Sequence, residues 1–234
     1  MRTVRILGVS ASPRKGATLQ ALQHCLDAAK SIPGVETELI DLSGKKIHCC
    51  INCNACRKQK LSYCPVFQDD FQPSYLEHYR NCDGIILASP LYMMNPTGLL
   101  SNFIARMRPG GGGPEEKAAA GLRIGGTIAV GGRRNGGQDT ALAAMNALLQ
   151  SGGTNVVGGG VLFYNGASVW SKNQKVLDDP TGQIELEVLG RKVAALASIV
   201  VRGMEHCPED WNPFYGAGCL SKEQMLQAYA AIGL

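Results

Sequence analysis

Short apolar runs alternate with longer segments of helical spacing along most of the chain. Residues 4–9 read as a strand buried on both faces, polar only at Arg5. After Gly16, the residues Leu19, Leu22, Leu26 and Ala29 recur at helical spacing. Pro33-Gly34 breaks that helix, and residues 37–40 form a second strand. Residues 84–90 form a third strand that ends at Pro90. The next helix covers 97–107, with Leu99, Leu100, Phe103, Ile104 and Met107 on one side. A fourth strand at 124–130 leads into a helix at 140–149. Residues 155–157 and 161–163 read as a fifth strand, short and broken by glycine. A last long helix covers 184–201, with Val188, Leu189, Val193, Leu196 and Ile199 apolar.

Such βαβ repetition predicts a parallel sheet with helices on both faces. Five strands favour the flavodoxin-like doubly wound order over the six-stranded dinucleotide form. The expected organisation is one domain over 1–203, with a cysteine-rich loop at 47–66 after strand two. Residues 204–234 then form an extension with a short helix from about Ser221. Residues 108–116, which include the glycines at 110–113, read as a mobile loop.

Composition narrows the class. The chain has 234 residues, 45% of them apolar, enough for a core without disulfides. Its net charge of +4 falls short of a nucleic-acid-binding stripe. No apolar run reaches membrane-spanning length, and the N-terminus lacks a signal-peptide pattern. The expectation is a cytoplasmic protein with no membrane or nucleic-acid partner. In that reducing compartment the nine cysteines point to metal or redox roles before structural disulfides.

The turn from strand one to helix one carries Ser10, Ser12, Pro13, Arg14, Gly16, Ala17 and Thr18. Hydroxyls, one arginine and the helix N-terminus suit a terminal monophosphate. The glycine spacing matches neither G-x-G-x-x-G nor a Walker loop. The same hydroxyls also serve as helix caps and turn formers. At the end of strand three, Pro90, Leu91, Tyr92, Met93, Met94 and Asn95 offer backbone polar groups and a ring to a flat heterocycle. At the end of strand four, Gly131, Gly132, Gly136 and Gly137 surround Arg133 and Arg134. Those glycines let backbone approach a ligand, and an arginine there stabilises negative charge. All three turns lie where a doubly wound sheet binds its ligand.

Ser10-x-Ser12-Pro13-Arg14 with Gly16 and Thr18 resembles the FMN phosphate loop of the NADPH-dependent FMN reductase family. Asp83-Gly84-Ile85-Ile86-Leu87-Ala88-Ser89-Pro90-Leu91-Tyr92 resembles the segment that borders the isoalloxazine ring in that family. The stretch from Val130 to Gln138 resembles the loop at the flavin's pyrimidine edge. The resemblance covers roughly residues 4–160 and implies FMN as cofactor.

Between strands two and three, Cys49, Cys50, Cys53, Cys56 and Cys64 crowd into sixteen residues. Three close cysteines and a fourth followed by proline echo iron–sulfur ligation, whereas zinc ribbons use two separated pairs. Free or redox-active thiols and zinc are the other readings. The motif resembles that of the iron–sulfur flavoproteins, a branch of the same family. That resemblance implies a [4Fe–4S] cluster on Cys50, Cys53, Cys56 and Cys64. Cys25, Cys82, Cys207 and Cys219 read as small buried hydrophobes. No histidine has an evident acid or nucleophile partner, and Asp69-Asp70 reads as a helix-cap pair. No side chain is assigned a catalytic role.

The leading expectation is a flavin oxidoreductase that passes electrons between cluster and FMN. A ferredoxin-like protein or NAD(P)H would be the donor. A quinone, oxygen species or metal ion would be the small-molecule acceptor. The resemblance implies a homodimer or homotetramer. The alternatives are a cluster-free NAD(P)H-dependent FMN or quinone reductase, and a non-enzymatic zinc-binding regulator.

Overall fold

The computed structural model describes residues 2–108, 121–171, 178–206 and 222–231. The strands are β1 Val4–Ser10, β2 Val35–Asp41, β3 Gly84–Pro90, β4 Ile124–Gly131, β5 Asn155–Val156 and β6 Ala167–Trp170. The helices are α1 Ala17–Lys30, α2 Ala55–Lys58, α3 Pro73–Asn81, α4 Gly98–Ala105, α5 Gln138–Ser151, α6 Pro180–His206 and α7 Lys222–Ala231. The strand order is β2-β1-β3-β4-β5, with β6 also on β4, and every pairing is parallel. This is the flavodoxin-like α/β arrangement expected.

Central strands need apolar residues on both faces because helices cover both. All eight residues of β4 are buried. Successive side chains of β1 enter opposite cores. Val4 and Ile6 join Ile86, Ile128 and Val130 against Leu22 and Leu26 of α1 and Leu189 and Val193 of α6. Leu7 and Val9 join Ile85 and Leu87 against Tyr75 of α3, Phe103 of α4 and Met145 of α5. Each such aliphatic side chain contributes about 1.5–3 kcal/mol on burial. The two helices on the first face touch closely. A Cβ at Gly190 of α6 would overlap the Cys25 carbonyl of α1.

The fifth position of the sheet differs from the sequence reading. β5 pairs with Ile124 and Gly125, and β6 continues the same edge against Ile128–Gly131. Residues 161–163 are not a strand, and Val161 is fully exposed. Gly159 N–H donates to the Phe163 carbonyl at 3.0 Å and Gly160 takes left-handed backbone at φ +69, so the chain turns here instead of extending. The strand resumes only at Ala167.

Two other expectations change. Asp69 and Asp70 do not cap a helix, because α3 begins after Gln72, with Pro73 in its first turn. Their carboxylates instead accept the backbone N–H groups of His48 and Lys46, at 2.8 and 2.7 Å. On α6, Ile199 faces outward and stays exposed. Cys25 and Cys82 are buried, as expected of small hydrophobes. Burial pushes the Cys82 thiol up to about 11. Of the expected loop at 108–116, Arg108 is hydrogen-bonded to Asn52 and Asn54, while residues 109–116, Cys207, Cys219 and most of the tail before Lys222 lie outside the described residues. Among the described residues no helix is long and apolar enough to cross a membrane.

Candidate functional site

Three loops leave the carboxyl ends of β1, β3 and β4 side by side. The first enters α1, whose cap residue is Gly16. No side chain caps α1, and its first turn holds no acid. The orphan N–H groups of any helix start therefore face outward here. A Cβ at Gly16 would meet nothing within 4 Å. Ser10 is buried, and its Oγ has no hydrogen-bond partner. A buried hydroxyl left without a partner costs about 1–3 kcal/mol. Ser12 is spent locally: its Oγ donates to the Arg14 carbonyl at 2.6 Å and accepts the Arg14 N–H at 3.3 Å. Thr18 is buried in the first turn, beside Ala17, while Pro13 and Arg14 are exposed. Uncapped N–H groups and open space thus meet at the helix start, and the partnerless Ser10 hydroxyl is buried at the end of β1 before it.

The second loop is a tight hairpin. Tyr92 N–H donates to the Asn95 carbonyl at 2.9 Å, and Asn95 N–H returns to the Tyr92 carbonyl at 3.1 Å. Between them Met93 and Met94 both take left-handed backbone, at φ 51 and 65. Such a turn favours Asn-Gly. Two methionines there cost about 1–2 kcal/mol each. The loop nevertheless keeps Tyr92 50%, Met93 92% and Met94 52% exposed. Leu91 N–H donates to the Val130 carbonyl at 3.1 Å, which fixes the hairpin base beyond Pro90. Thr97, the α4 cap, gives its hydroxyl proton to the Ala11 carbonyl at 2.8 Å and so ties this loop to the first.

The third loop packs on the second. Gly137 stands at φ +94, and a Cβ there would lie 2.6 Å from Met94 Cγ. A Cβ at Gly131 would lie 2.8 Å from Leu91 Cδ1. Gln138 closes the loop: its Nε2 donates to the Arg133 carbonyl at 2.6 Å, and its Oε1 accepts the Gly136 N–H at 2.7 Å. Trp170 Nε1 donates to the Gly132 carbonyl at 3.2 Å. Of the two arginines, Arg134 is engaged with Asp179 at 2.7 Å. Burial raises the Asp179 carboxyl, but the Trp170 N–H, Arg134 and the Gly182 N–H outweigh it and hold it below its usual range. Arg133 is exposed, with no described side-chain partner.

The cysteine loop lies at the far end of α4. Cys50, Cys53, Cys56 and Cys64 line one small pocket with Phe67, Arg106 and Arg108. Cys49 is not on its wall, and its thiol turns to the Cys50 carbonyl at 3.7 Å. The five thiols are unbridged. Among the described residues no three His, Cys, Asp or Glu side chains are grouped to hold one metal ion. The loop is fastened to α4 by buried polar groups. Asn102 Nδ2 donates to the Ile47 carbonyl at 2.8 Å. Arg106 pairs with Asp69 at 2.7 and 3.3 Å and donates to the His48 carbonyl at 3.2 Å. Burial pushes the Asp69 carboxyl up, but Arg106 and the N–H groups of His48 and Phe71 hold it down at about 2.

Sequence reading missed these partners because each pair is distant along the chain. Three histidines do face an acid: His24 lies 3.4 Å from Glu187, His48 3.2 Å from Asp69 and His78 2.6 Å from Glu38. Thr97 was open to detection as a helix cap. Asp69, Arg106, Gln138 and Asp179 carried no local signal. A larger cavity, about 1080 Å³, lies at the opposite edge of the sheet by Arg2, Asp83 and Arg123 and includes none of the three loops.

Comparison with known proteins agrees with this arrangement. The model of the NADPH-dependent FMN reductase family matches residues 4–168. An iron–sulfur flavoprotein of Methanocaldococcus jannaschii is 31% identical over 200 residues, covering 84% of this chain and 99% of its own. A second from that organism is 36% identical over 172 residues, covering 73% and 84%. The solved structure of RosB with a bound riboflavin-phosphate intermediate superposes with a TM-score of 0.64 at 16% identity, covering 100% of this chain and 88% of its own. That last likeness bears on the fold alone. The chain belongs to the NADPH-dependent FMN reductase family, in its iron–sulfur flavoprotein branch, and is an FMN-dependent oxidoreductase.

Proposed function

We propose that this oxidoreductase moves electrons between a [4Fe–4S] cluster and FMN and delivers them to a small acceptor. The observation that carries the reading is the pocket at one end of α4. Cys50, Cys53, Cys56 and Cys64 line it while a fifth cysteine, Cys49, does not. Four soft donors without disulfides suit a cluster bound by four thiolates. A single zinc ion instead needs its sulfurs about 2.3 Å from one centre. Cys50, Cys53, Cys56 and Cys64 would hold the cluster.

At the other end of α4, the partnerless Ser10 Oγ and the uncapped start of α1 would take the FMN phosphate. Ser12, Pro13, Arg14, Gly16, Ala17 and Thr18 shape that loop. The hairpin Pro90–Asn95 would border the ring, with Gly131, Gly132, Gly136 and Gly137 at its pyrimidine edge. Arg133, with no side-chain partner among the described residues, would offset negative charge there. Bound FMN supplies the redox chemistry, and the protein positions it and sets its electrostatic surroundings. Eight residues of α4 span about 12 Å, so the two sites stand about one short helix apart.

The donor would be a ferredoxin-like protein or NAD(P)H, and the acceptor a quinone, oxygen species or metal ion. Exposed Tyr92, Met93, Val161 and Tyr164 favour assembly into a homodimer or homotetramer. Single cysteine-to-serine variants purified without oxygen test the ligand set. Cys50→Ser, Cys53→Ser, Cys56→Ser and Cys64→Ser should each lose iron and keep FMN. Cys49→Ser should keep both. Iron loss on Cys49→Ser but not on Cys64→Ser would refute the assignment.

A further inference from the structure

We infer that Arg108 is a positioning residue that latches the cysteine loop in its cluster-holding shape, an inference that rests on the cluster reading above. Cys53 sits between two residues in left-handed backbone, Asn52 at φ 55 and Asn54 at φ 58. Asparagine tolerates this region better than other side-chain-bearing residues, but it is still an uncommon state that its surroundings must maintain. Here one guanidinium maintains both. Arg108 Nη1 donates to Asn52 Oδ1, and Nη2 donates to Asn54 Oδ1 at 3.0 Å.

The same oxygen of Asn54 has a local alternative. Asn54 is the cap residue of α2, the short helix that carries Cys56. Asparagine is among the best helix caps because its carbonyl accepts a first-turn N–H. Asn54 makes no such bond, since its oxygen is turned to Arg108 instead. The latch therefore takes the place of local capping, at the residue between Cys53 and the helix bearing Cys56. Arg108 also lines the cysteine pocket itself.

A planar fork holds the two acceptors in fixed directions relative to each other. The guanidinium presents separate N–H groups in fixed directions, whereas a lysine ammonium is a compact point charge on a flexible stem. Arg108→Lys keeps the charge and removes the fork. Glycine adopts left-handed backbone at little cost, so Asn52→Gly with Asn54→Gly keeps the loop's shape without a latch.

The test uses full-length protein purified without oxygen, with iron, FMN and chelator-driven iron release measured on each variant. Arg108→Lys should keep its FMN and lose iron to a chelator about tenfold faster or more, the scale of a lost charge-assisted hydrogen bond. Adding Asn52→Gly and Asn54→Gly to Arg108→Lys should restore slow release. In metal-free protein, Cys53 of Arg108→Lys should react with a small alkylating reagent at an altered rate, while buried Cys25 should not. Iron-loaded wild type with equal retention in Arg108→Lys overturns the latch alone. Loss of FMN along with iron in Arg108→Lys also overturns it, since the residue would then support the whole fold. Iron-free wild type overturns the cluster reading, and this inference with it.

Discussion

Met93 shows how a single residue can hold strain at a site. It occupies left-handed backbone with its side chain 92% exposed, so neither conformation nor packing explains a methionine there. Backbone strain that persists on a surface points to something the exposed group does. Met93→Gly removes the strain and little packing. The flavin-free protein should gain about 1 kcal/mol and melt about 2–4 °C higher by calorimetry. The same variant should bind FMN more weakly in a fluorescence titration, because the hairpin loses a side chain that would lie against the ring in the proposed site. A lower melting point would show that the turn is not strained. Gly137 is the complementary case, since it is small and left-handed where Met94 fills the space. The glycines and methionines of these loops were visible in the sequence. Their mutual packing was not, because Met94 and Gly137 lie on different loops.

Element α4 joins the two halves of the site. Its cap Thr97 is bound to the first loop, and its C-terminal Arg106 is bound to the cysteine loop. Asp69 is the buried partner that completes the second attachment. Its carboxyl is held at about 2, well under the roughly 3.9 of an unfolded chain. A carboxyl lowered by folding stabilises above its unfolded pKa and ceases to do so as pH falls through its folded one. This contribution is thus complete above about pH 4 and lost toward pH 2, roughly 2–3 kcal/mol in all. Asp69→Asn should cost about 3–5 kcal/mol at neutral pH, because Arg106 is left buried without a counter-charge. Denaturant melts from pH 7 to pH 2 check both points. The variant should lose the wild type's fall below pH 4, and an unchanged fall would place the acid sensitivity elsewhere. Helix α4 itself was legible from Leu99, Leu100, Phe103 and Ile104. Its tether was not, since nothing local pairs residue 69 with residue 106. Helix α3 was equally hard to see, because its buried residues are few, Tyr75 and Leu76.

At the scale of the molecule, apolar runs at 4–9, 84–90 and 124–130 were enough to read the sheet's centre, because buried parallel strands have little freedom in composition. The edge was harder. Val161 looks like a strand residue yet stands in solvent, and β5 and β6 share the fifth position around an excursion that begins at glycines 158–160. The positions of the three candidate loops were legible because a doubly wound sheet brings the carboxyl ends of its strands together. In the proposed arrangement one chain holds FMN at one end of α4 and an iron–sulfur cluster at the other. The most direct measurement is the visible spectrum, with iron, zinc and flavin analysis, of protein purified without oxygen. It should show flavin bands on a broad absorption near about 400 nm, with about four irons and one FMN per chain. Flavin without iron, or zinc in place of iron, would contradict it.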